Sequence, residues 1–399
     1  LQPVEIEGRY NSLNDTINIK GKIPKIVYNG NTISGATIDV NTKGDSLVYN
    51  VVVDDISNAS FGLPYTRISG KVANNVANYD LLLKDVKNKD QYAISGTLEA
   101  KDNTNIIKLN ADNFLLNYEK WAIPNDNSLS LNKKGLLIDN FNLTNNSSSI
   151  KVQSQSQRPN APIEIELKNF DITTLTNIVK KENLEATGIL DGKVLLKNLD
   201  KNILLTADLN IADFTFNKDT VGNISVKVDN KVTSVYDAKV AITGNGNQVD
   251  LNGTYKANSK TFDLILDLEK LNMKSIQGFT MGNLKNSEGY LSGNFLVKGT
   301  ADNPDVDGDL SFNAVGFNVT QLNSTFKNIN DKIVFNQQGI VFNDFTINDE
   351  NDNILLVKGQ ILSQNFRDFG FDLKIDADNF KAVNSGPQDN DIYYGKLFL

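Results

Sequence analysis

The chain has 399 residues, of which 40% are hydrophobic and 22% are charged, and these proportions exclude a largely disordered protein. A chain of this length usually forms more than one hydrophobic core or a repeat array. Its 40 basic and 48 acidic residues give a net charge of −8. That is the wrong sign for a groove that binds nucleic acid, so we expect no nucleic-acid partner.

Cysteine and histidine are both missing from the sequence. Without cysteine there is no disulfide, no thiolate nucleophile and no metal site built on sulfur. Without histidine, the common catalytic triads and dyads and the usual general base cannot form. Paired carboxylates or a lysine would remain for an enzyme, but no motif surrounds either. We therefore predict a protein that is not an enzyme and that uses no cofactor and no metal.

Most of the chain alternates strictly between apolar and polar residues, which is the period of a β-strand with one wet and one dry face. The alternation is clearest at 163–168, 224–229 and 371–376. Turn sequences such as Asn29-Gly30 and Asp307-Gly308 separate these runs. The spacing, roughly one run every 8 to 14 residues, is typical of antiparallel hairpins. The sequence therefore predicts an all-β fold.

Two segments have helical spacing instead, with apolar residues three and four positions apart. The first is Ile172–Leu184, for which Asp171 or Thr173 can serve as the N-cap. The second is Met273–Leu284. Each pattern predicts a short helix of about three turns, inserted after a strand.

The two helical segments belong to an internal repeat. The stretch from Gly188 to Lys197 aligns without a gap with the stretch from Gly289 to Lys298, at an offset of 101 residues. Leu175 and Ile276 are equivalent under the same offset. We predict that both side chains point to the apolar side of the sheet and narrow or cap the groove at intervals.

The repeat suggests how the chain is organised. We predict a β-repeat segment over 1–110 and a region of modules of about 101 residues over 111–399. The modules cover 170–270 and 271–379, and a partial copy covers 380–399. Both chain ends fall inside a pattern, so we expect an internal fragment of a longer protein.

The apolar strand faces admit two interpretations, which the residues leave open. In the first, globular β-domains bury these faces by packing sheet on sheet. In the second, one elongated curved sheet forms a trough whose dry face takes an apolar ligand such as lipid acyl chains. The candidate groove-lining residues are Ile163, Ile165, Leu167, Leu209, Ile211, Leu264, Leu266, Leu268, Phe371, Leu373 and Ile375. The intervening Glu164, Lys168, Asp267, Asp372 and Lys374 are expected on the wet face.

Other candidate sites have simpler interpretations. The acidic clusters at 302–309 and 348–353 lack the glycine and glutamate spacing of a calcium-binding loop, so we interpret them as solvated turns. Trp121 is the single tryptophan. We interpret it as closing a hydrophobic layer and not as a sugar-binding residue.

One module carries a resemblance to a known family. It contains Gly289-Tyr290-Leu291-Ser292-Gly293, then an apolar strand ending in Lys298-Gly299, and then Asn303-Pro304 followed by Gly308-Asp309-Leu310. This order resembles the C-terminal conserved region of the TamB family, which is related to the AsmA-like proteins. The resemblance covers about residues 110–399.

The resemblance implies a β-taco, a long bent sheet with an apolar interior, in the periplasm of a Gram-negative bacterium. It implies a bridge that carries phospholipid to the outer membrane, supports the assembly of outer-membrane proteins, or both. The implied partners are phospholipid acyl chains and an outer-membrane barrel protein of the TamA type. The inner-membrane anchor would lie outside this fragment. The alternative is a structural or adhesive cell-surface β-repeat protein with internally packed apolar faces.

Overall fold

A computed structural model shows a chain built almost entirely of antiparallel β-sheet, with 71% of residues in strands and 3% in helices. The all-β prediction is confirmed. The structure describes residues 3–58, 61–112, 114–176, 185–200, 202–363, 365–390, 392 and 394–399. The contacts divide the chain into two compact units. The first comprises Leu1–Leu184 and Leu190–Leu204, and the second comprises Glu185–Ile189 and Leu205–Leu399.

The first unit contains one large sheet and a smaller group of strands. Its elements are β1 (Glu5–Asn11), β2 (Thr16–Tyr28), β3 (Asn31–Lys43), β4 (Ser46–Ser57), β5 (Gly62–Ala73), β6 (Val76–Lys84), β7 (Asp90–Lys101), β8 (Thr104–Leu109), β9 (Leu115–Leu116), β10 (Glu119–Lys120), β11 (Ser128–Asn132), β12 (Gly135–Asp139), β13 (Phe141–Asn145), β14 (Ser148–Ser154), β15 (Ile163–Asp171) and α1 (Thr173–Thr176). Strands β1 to β8 each pair with the next, and β11 and β12 continue the sheet beyond β8. Strands β13, β14 and β15 pair in order. The following strand, β16 (Ala186–Lys197), contributes residues to both units.

Alternation in the first unit produces two chemically different sheet faces. One cross-strand row consists of Ile38, Val51, Ile68, Leu81 and Ile94. The adjacent row on the other face consists of Asp39, Asn50, Ser69, Asp80 and Ser95. Residues directly opposite each other on paired strands share a face, so the period-two pattern becomes continuous apolar and polar rows.

The second unit repeats this principle with longer strands. Its elements are β17 (Leu204–Phe216), β18 (Asp219–Val232), β19 (Val235–Gly244), β20 (Asn247–Lys256), β21 (Thr261–Asn272), α2 (Met273–Gln277), a 3-10 helix (Gly278–Thr280), β22 (Leu284–Thr300), β23 (Pro304–Val319), β24 (Ser324–Ile329), β25 (Lys332–Asn336), β26 (Gly339–Asp349), β27 (Ile354–Leu362), β28 (Gly370–Ala377), β29 (Lys381–Ser385) and β30 (Gly395–Phe398). Strands β17 to β23 pair in chain order. Strands β24 and β25 each pair with β23 and with β26, and β27 and β28 follow.

Irregular pairing bends the sheet in the later part of the second unit. Register shifts interrupt β21, β22, β23 and β26, and residues 330 and 331 separate β24 from β25. Bulges of this kind increase twist and let a sheet curl. The curled strands enclose the largest core cluster, whose buried members are Met273, Val315, Ile329, Ile333, Phe345, Leu355, Val357 and Phe380.

The predicted ranges of the two helices are only partly confirmed. α1 is helical over Thr173–Thr176, and the remainder of its predicted range, 177–184, lies outside the described residues. The range Met273–Leu284 was too long, because α2 ends at Gln277 and β22 already begins at Leu284. A 3-10 turn follows α2 and stops at Met281, which has left-handed backbone geometry (φ 53°). This reversal ends the helical segment.

The two helix starts are built alike. The Thr173 N–H donates to the side chain of Asp171, one of the two predicted N-cap residues, at 2.9 Å, while the first backbone bond of α1 is accepted by the Ile172 carbonyl. The Lys274 N–H donates to Asn272 Oδ1 at 3.2 Å. Asp171 and Asn272 are separated by the repeat offset. The module boundaries and the elongated trough stay predictions.

Candidate functional site

The main candidate site is an apolar sheet face in the second unit, formed by two aliphatic rows. The first row runs through Leu209, Val226, Val240, Leu251 and Leu266. The second row runs through Ile211, Ile224, Ile242, Val249 and Leu268. We call these ten residues, on β17 to β21, the aliphatic floor. Every member is Val, Ile or Leu, and each lies directly opposite its neighbour on the next strand.

The reverse face of the same strands is mainly polar. The row adjacent to the first aliphatic row consists of Asp208, Lys227, Lys239, Asn252 and Ile265. The carboxylate of Asp208 and the ammonium of Lys227 are 3.3 Å apart. Ile265 is the exception, an apolar side chain on the wet face that is 54% exposed. The strands therefore separate a dry face from a wet face.

The aliphatic floor is unevenly covered. Val249 and Leu268 are buried in a small cluster with Phe295, and Ile242 and Leu266 pack against it. The other six floor residues are half-buried, and none of the core clusters found among the described residues includes them. Contiguous apolar surface outside the core is the usual mark of a binding surface.

Large aromatic residues fill the same face beyond β21. Phe295 on β22 lies opposite Leu266, Gly308 lies opposite Phe295, and Phe335 lies opposite Gly308. The rings of Phe295 and Phe335 meet edge to face with centroids 5.4 Å apart. A Cβ at position 308 would clash with the backbone oxygen of Asn294 and would lie 2.8 Å from Phe295 Cδ1, so glycine allows the close approach of both the strand and the ring.

A second group of rings packs beside this pair. Phe345 makes edge-to-face contacts with Phe312, at 5.2 Å between centroids, and with Phe342, at 5.6 Å. All three belong to the largest core cluster or pack against it. We call Phe295, Phe312, Phe335, Phe342 and Phe345 the aromatic block.

Most of the groove-lining residues predicted in the second unit lie in or beside the aliphatic floor. Leu209, Ile211, Leu266 and Leu268 are in the aliphatic floor. Leu264 lies on the same face in a third row of smaller residues. Asp267 lies on the opposite face and is exposed, as strand parity predicts.

The predicted residues of β28 are in a different environment. Phe371 and Ile375 are 72% and 54% exposed, while Leu373 is half-buried. Phe371 lies opposite Ile361, so it shares the apolar face, but it is separated from the aliphatic floor by the aromatic block. Strand β28 is the last strand of the sheet, which explains the exposure. The structure therefore does not bring these residues together with the floor.

The predicted residues of the first unit lie on β15. Ile163 is buried, while Ile165 and Leu167 are half-buried. Leu167 packs against a cluster of Phe114, Trp121 and Phe170. Trp121 is buried and its ring centroid lies 6.1 Å from that of Phe170. The interpretation of Trp121 as part of a hydrophobic layer is confirmed.

The two predicted helix residues cannot be compared directly. Ile276 is half-buried and packs against the largest core cluster, so it points inward. The side chain of Leu175 lies outside the described residues. Sequence reasoning missed what anchors α2: Ser275 Oγ accepts from Asn247 Nδ2 at 2.8 Å and donates to the Thr220 carbonyl at 2.9 Å. Asn247 follows a Gly-Asn-Gly turn, which was the available signal.

The described part of the chain lacks two features that would suggest other functions. No helix there is long and apolar enough to cross a membrane. No group of three or more acidic side chains there could hold a metal ion. In comparisons with known proteins, no protein-family model, curated protein or solved structure matches this chain.

Proposed function

We propose that the aliphatic floor binds extended apolar chains, and that the protein carries phospholipid between membranes. The observation that supports this most is the floor itself. It consists of ten aliphatic side chains in two unbroken rows across five strands, backed by a mainly polar face, and most of them lie outside the core clusters.

The dimensions of the floor suit an acyl chain. Five strands span about 19 Å at about 4.8 Å per spacing, and one leaflet of a ~30 Å hydrocarbon core is about 15 Å deep. The two rows are two residues apart along each strand, or about 6.6 Å, and we call the surface between them the furrow. Each methylene removed from water contributes about 0.8 kcal/mol. A chain lying in the furrow would slide along it with little change in that contribution.

The wider role rests on the resemblance to the TamB family. On this proposal, the chain is part of a periplasmic bridge that is anchored in the inner membrane by a segment outside these residues. It delivers phospholipid, or supports protein assembly, at the outer membrane together with a barrel protein of the TamA type. The protein would act by binding and not by catalysis, which agrees with a sequence free of histidine and cysteine.

Site-specific photo-crosslinking tests the binding proposal. A photoreactive amino acid replaces Val240, Leu251 or Leu266 on the floor, or its wet-face neighbour Lys239, Asn252 or Ile265. The 399-residue protein is incubated with phosphatidylethanolamine–phosphatidylglycerol vesicles that contain a fluorescent phospholipid. We expect lipid adducts at the floor positions and only background at their neighbours. Ile265 is the sharpest control, because it is apolar and exposed on the same strand as Leu266.

Two results would count against lipid binding. Equal labelling on both faces would indicate non-specific adsorption. No labelling at 240 or 251 in protein with an unchanged circular dichroism spectrum would favour the structural or adhesive alternative.

A further inference from the structure

The aliphatic floor does not continue across the whole apolar face, because the face changes character between β21 and β22. The first row meets Phe295, which is only 8% exposed. The second row meets Gly293 and then Leu310 and Ile333, which belong to or pack against the largest core cluster. Both rows are therefore filled by protein side chains from this point on.

The third row of the apolar face does not provide a path past these filled rows. It runs from Leu264 to Val297 and Val306. Val306 lines a small cavity at the end of β25 whose other lining residues are mostly polar, with Pro304 and Phe366 as the apolar exceptions. A chain displaced from the furrow into this row would lose its apolar contacts.

We propose that Phe295 and Phe335 are a stop that ends the lipid path inside the second unit. This inference rests on the proposed function and sharpens it. Val249 and Leu268 of the second row are already buried, so an acyl chain follows the half-buried first row here and ends with its terminal methyl group against the Phe295 ring. Phe335 holds that ring from the far side through their edge-to-face contact over Gly308. The two rings therefore set how far an apolar chain can advance.

The apolar surface beyond the stop provides the readout. The first row continues past Phe335 through Ile340, Ile361 and Phe371. Ile361 is half-buried and its neighbour Gln360 lies on the opposite face. An uninterrupted groove would bring lipid to Ile361 as readily as to Leu251. A stop at Phe295 and Phe335 would leave Ile361 without lipid.

The test compares crosslinking before and after the rings, in the same vesicles with the same fluorescent phospholipid. With the photoreactive group at 251 we expect strong labelling, and at 361 we expect only the background seen at 360. Phe335→Ala and the milder Phe335→Leu should each produce labelling at 361. Phe317→Ala is the matched control, because Phe317 packs on Phe326 and not on Phe295. It should leave labelling at 361 at background.

Each outcome is decisive. Labelling at 361 equal to that at 251 in the otherwise unaltered protein would overturn the stop while leaving lipid binding intact. The stop would also be overturned if both Phe335 variants stay folded, as judged by circular dichroism, and position 361 remains unlabelled. Absence of labelling at 251 would overturn the proposed function, and the stop with it.

Discussion

The aliphatic floor and the aromatic block lie on the same face of the second unit, yet every block residue packs in a core cluster while six of the ten floor residues lie outside the clusters. Both follow the same alternation of apolar and polar residues. They differ in side-chain shape, since the floor contains only Val, Ile and Leu and the block only Phe. They do not differ in the regularity of strand pairing, because register shifts occur among the floor strands as well as among the block strands. Alternation defines a dry face, but it does not decide what covers that face.

The strand pairing beyond β22 is what decides it, because β23 pairs with both β24 and β25, and each of these pairs with β26. The two floor rows stay in register from β17 to β21, although shifts occur elsewhere in the same strand pairs, so each floor residue lies directly opposite its neighbour on the next strand. Bulges in β22 and β23 bend the sheet, so that residues several strands apart meet across the bend. Phenylalanine rings then reach far enough to fill the interior, and each can bury roughly 150–250 Å².

Truncating one large residue in each region should separate the two environments most clearly. Phe345→Ala should lower the free energy of unfolding by about 3–5 kcal/mol, because the residue is buried and the cavity cannot collapse fully. Leu251→Ala should cost only about 1 kcal/mol, because part of that side chain is already in contact with water. Urea denaturation followed by circular dichroism measures both values. Similar losses would show that the floor is packed like a core.

The same contrast explains what could be predicted from the sequence. Alternation alone placed Leu264, Leu266 and Leu268 on one face with Asp267 on the other, because parity follows directly from strand geometry. It could not show that Phe371 lies on the last strand, because strand order depends on long-range pairing. The length of α2 was also beyond the pattern, since the helical spacing continues past the residue where the backbone reverses.

The aromatic block itself was missed for a physical reason. Phe295 and Phe335 are 40 residues apart in the sequence and meet only because β23 lies between β22 and β25. The one local signal was Gly308, but the pattern with Asp307 predicted a turn there, and this was wrong because Gly308 lies inside β23. Such a residue often marks a close approach of another group. Its partner rings could not be identified before the strand register was known.

A buried carboxylate fixes the turn that follows the block on β26. Asp349 is fully buried and accepts hydrogen bonds from the backbone N–H groups of Asn351, Asn353 and Lys381 and from the Asn353 side chain, at 2.8–2.9 Å. The interpretation of 348–353 as a solvated turn was therefore wrong for this residue. Burial pushes the pKa of Asp349 upward, but these hydrogen bonds outweigh it and leave the pKa below its ordinary value of 3.8.

This arrangement predicts an acid-sensitive contribution to stability. Because the pKa is lower in the folded state than in the unfolded state, the contribution is fully present above pH ~4 and is lost as the pH falls through the folded value. Asp349→Asn replaces an acceptor by a donor, and we expect it to cost about 1–3 kcal/mol at neutral pH. The variant should also lose less stability than the unaltered protein between neutral and acid pH, measured by urea denaturation at each pH. Parallel pH curves would exclude this role.

The junction between the two regions is α2, which leads from the last floor strand into the first strand of the block. Asn272→Ala removes the side-chain acceptor for the Lys274 N–H and should cost about 0.5–2 kcal/mol. Asp171→Ala is the equivalent change at α1 in the first unit and should have a similar effect. Thermal unfolding compares them, with Asp171→Asn and Asn272→Asp as conservative controls that retain an acceptor. A large difference between the two alanine variants would argue against equivalent modules.

The smallest effect is expected at an ion pair beside the stop. Arg367 Nη2 lies 2.8 Å from Asp302 Oδ1, and the two side chains are 60% and 79% exposed. The neighbouring Phe366 ring lies 6.2 Å, centroid to centroid, from Phe335. The rings of Phe295 and Phe335 could therefore be held in place by the aromatic contacts or by this ion pair.

Exposed ion pairs are usually worth no more than about 1 kcal/mol and are screened by salt, so the aromatic contacts should dominate. Arg367→Ala should change the free energy of unfolding by less than about 1 kcal/mol and leave crosslinking at position 361 at background. The same measurements at high salt should give the same result without any mutation. If Arg367→Ala or high salt instead produced lipid labelling at 361, the ion pair would control the stop. The boundary between floor and block would then depend on ionic strength and not on ring packing alone.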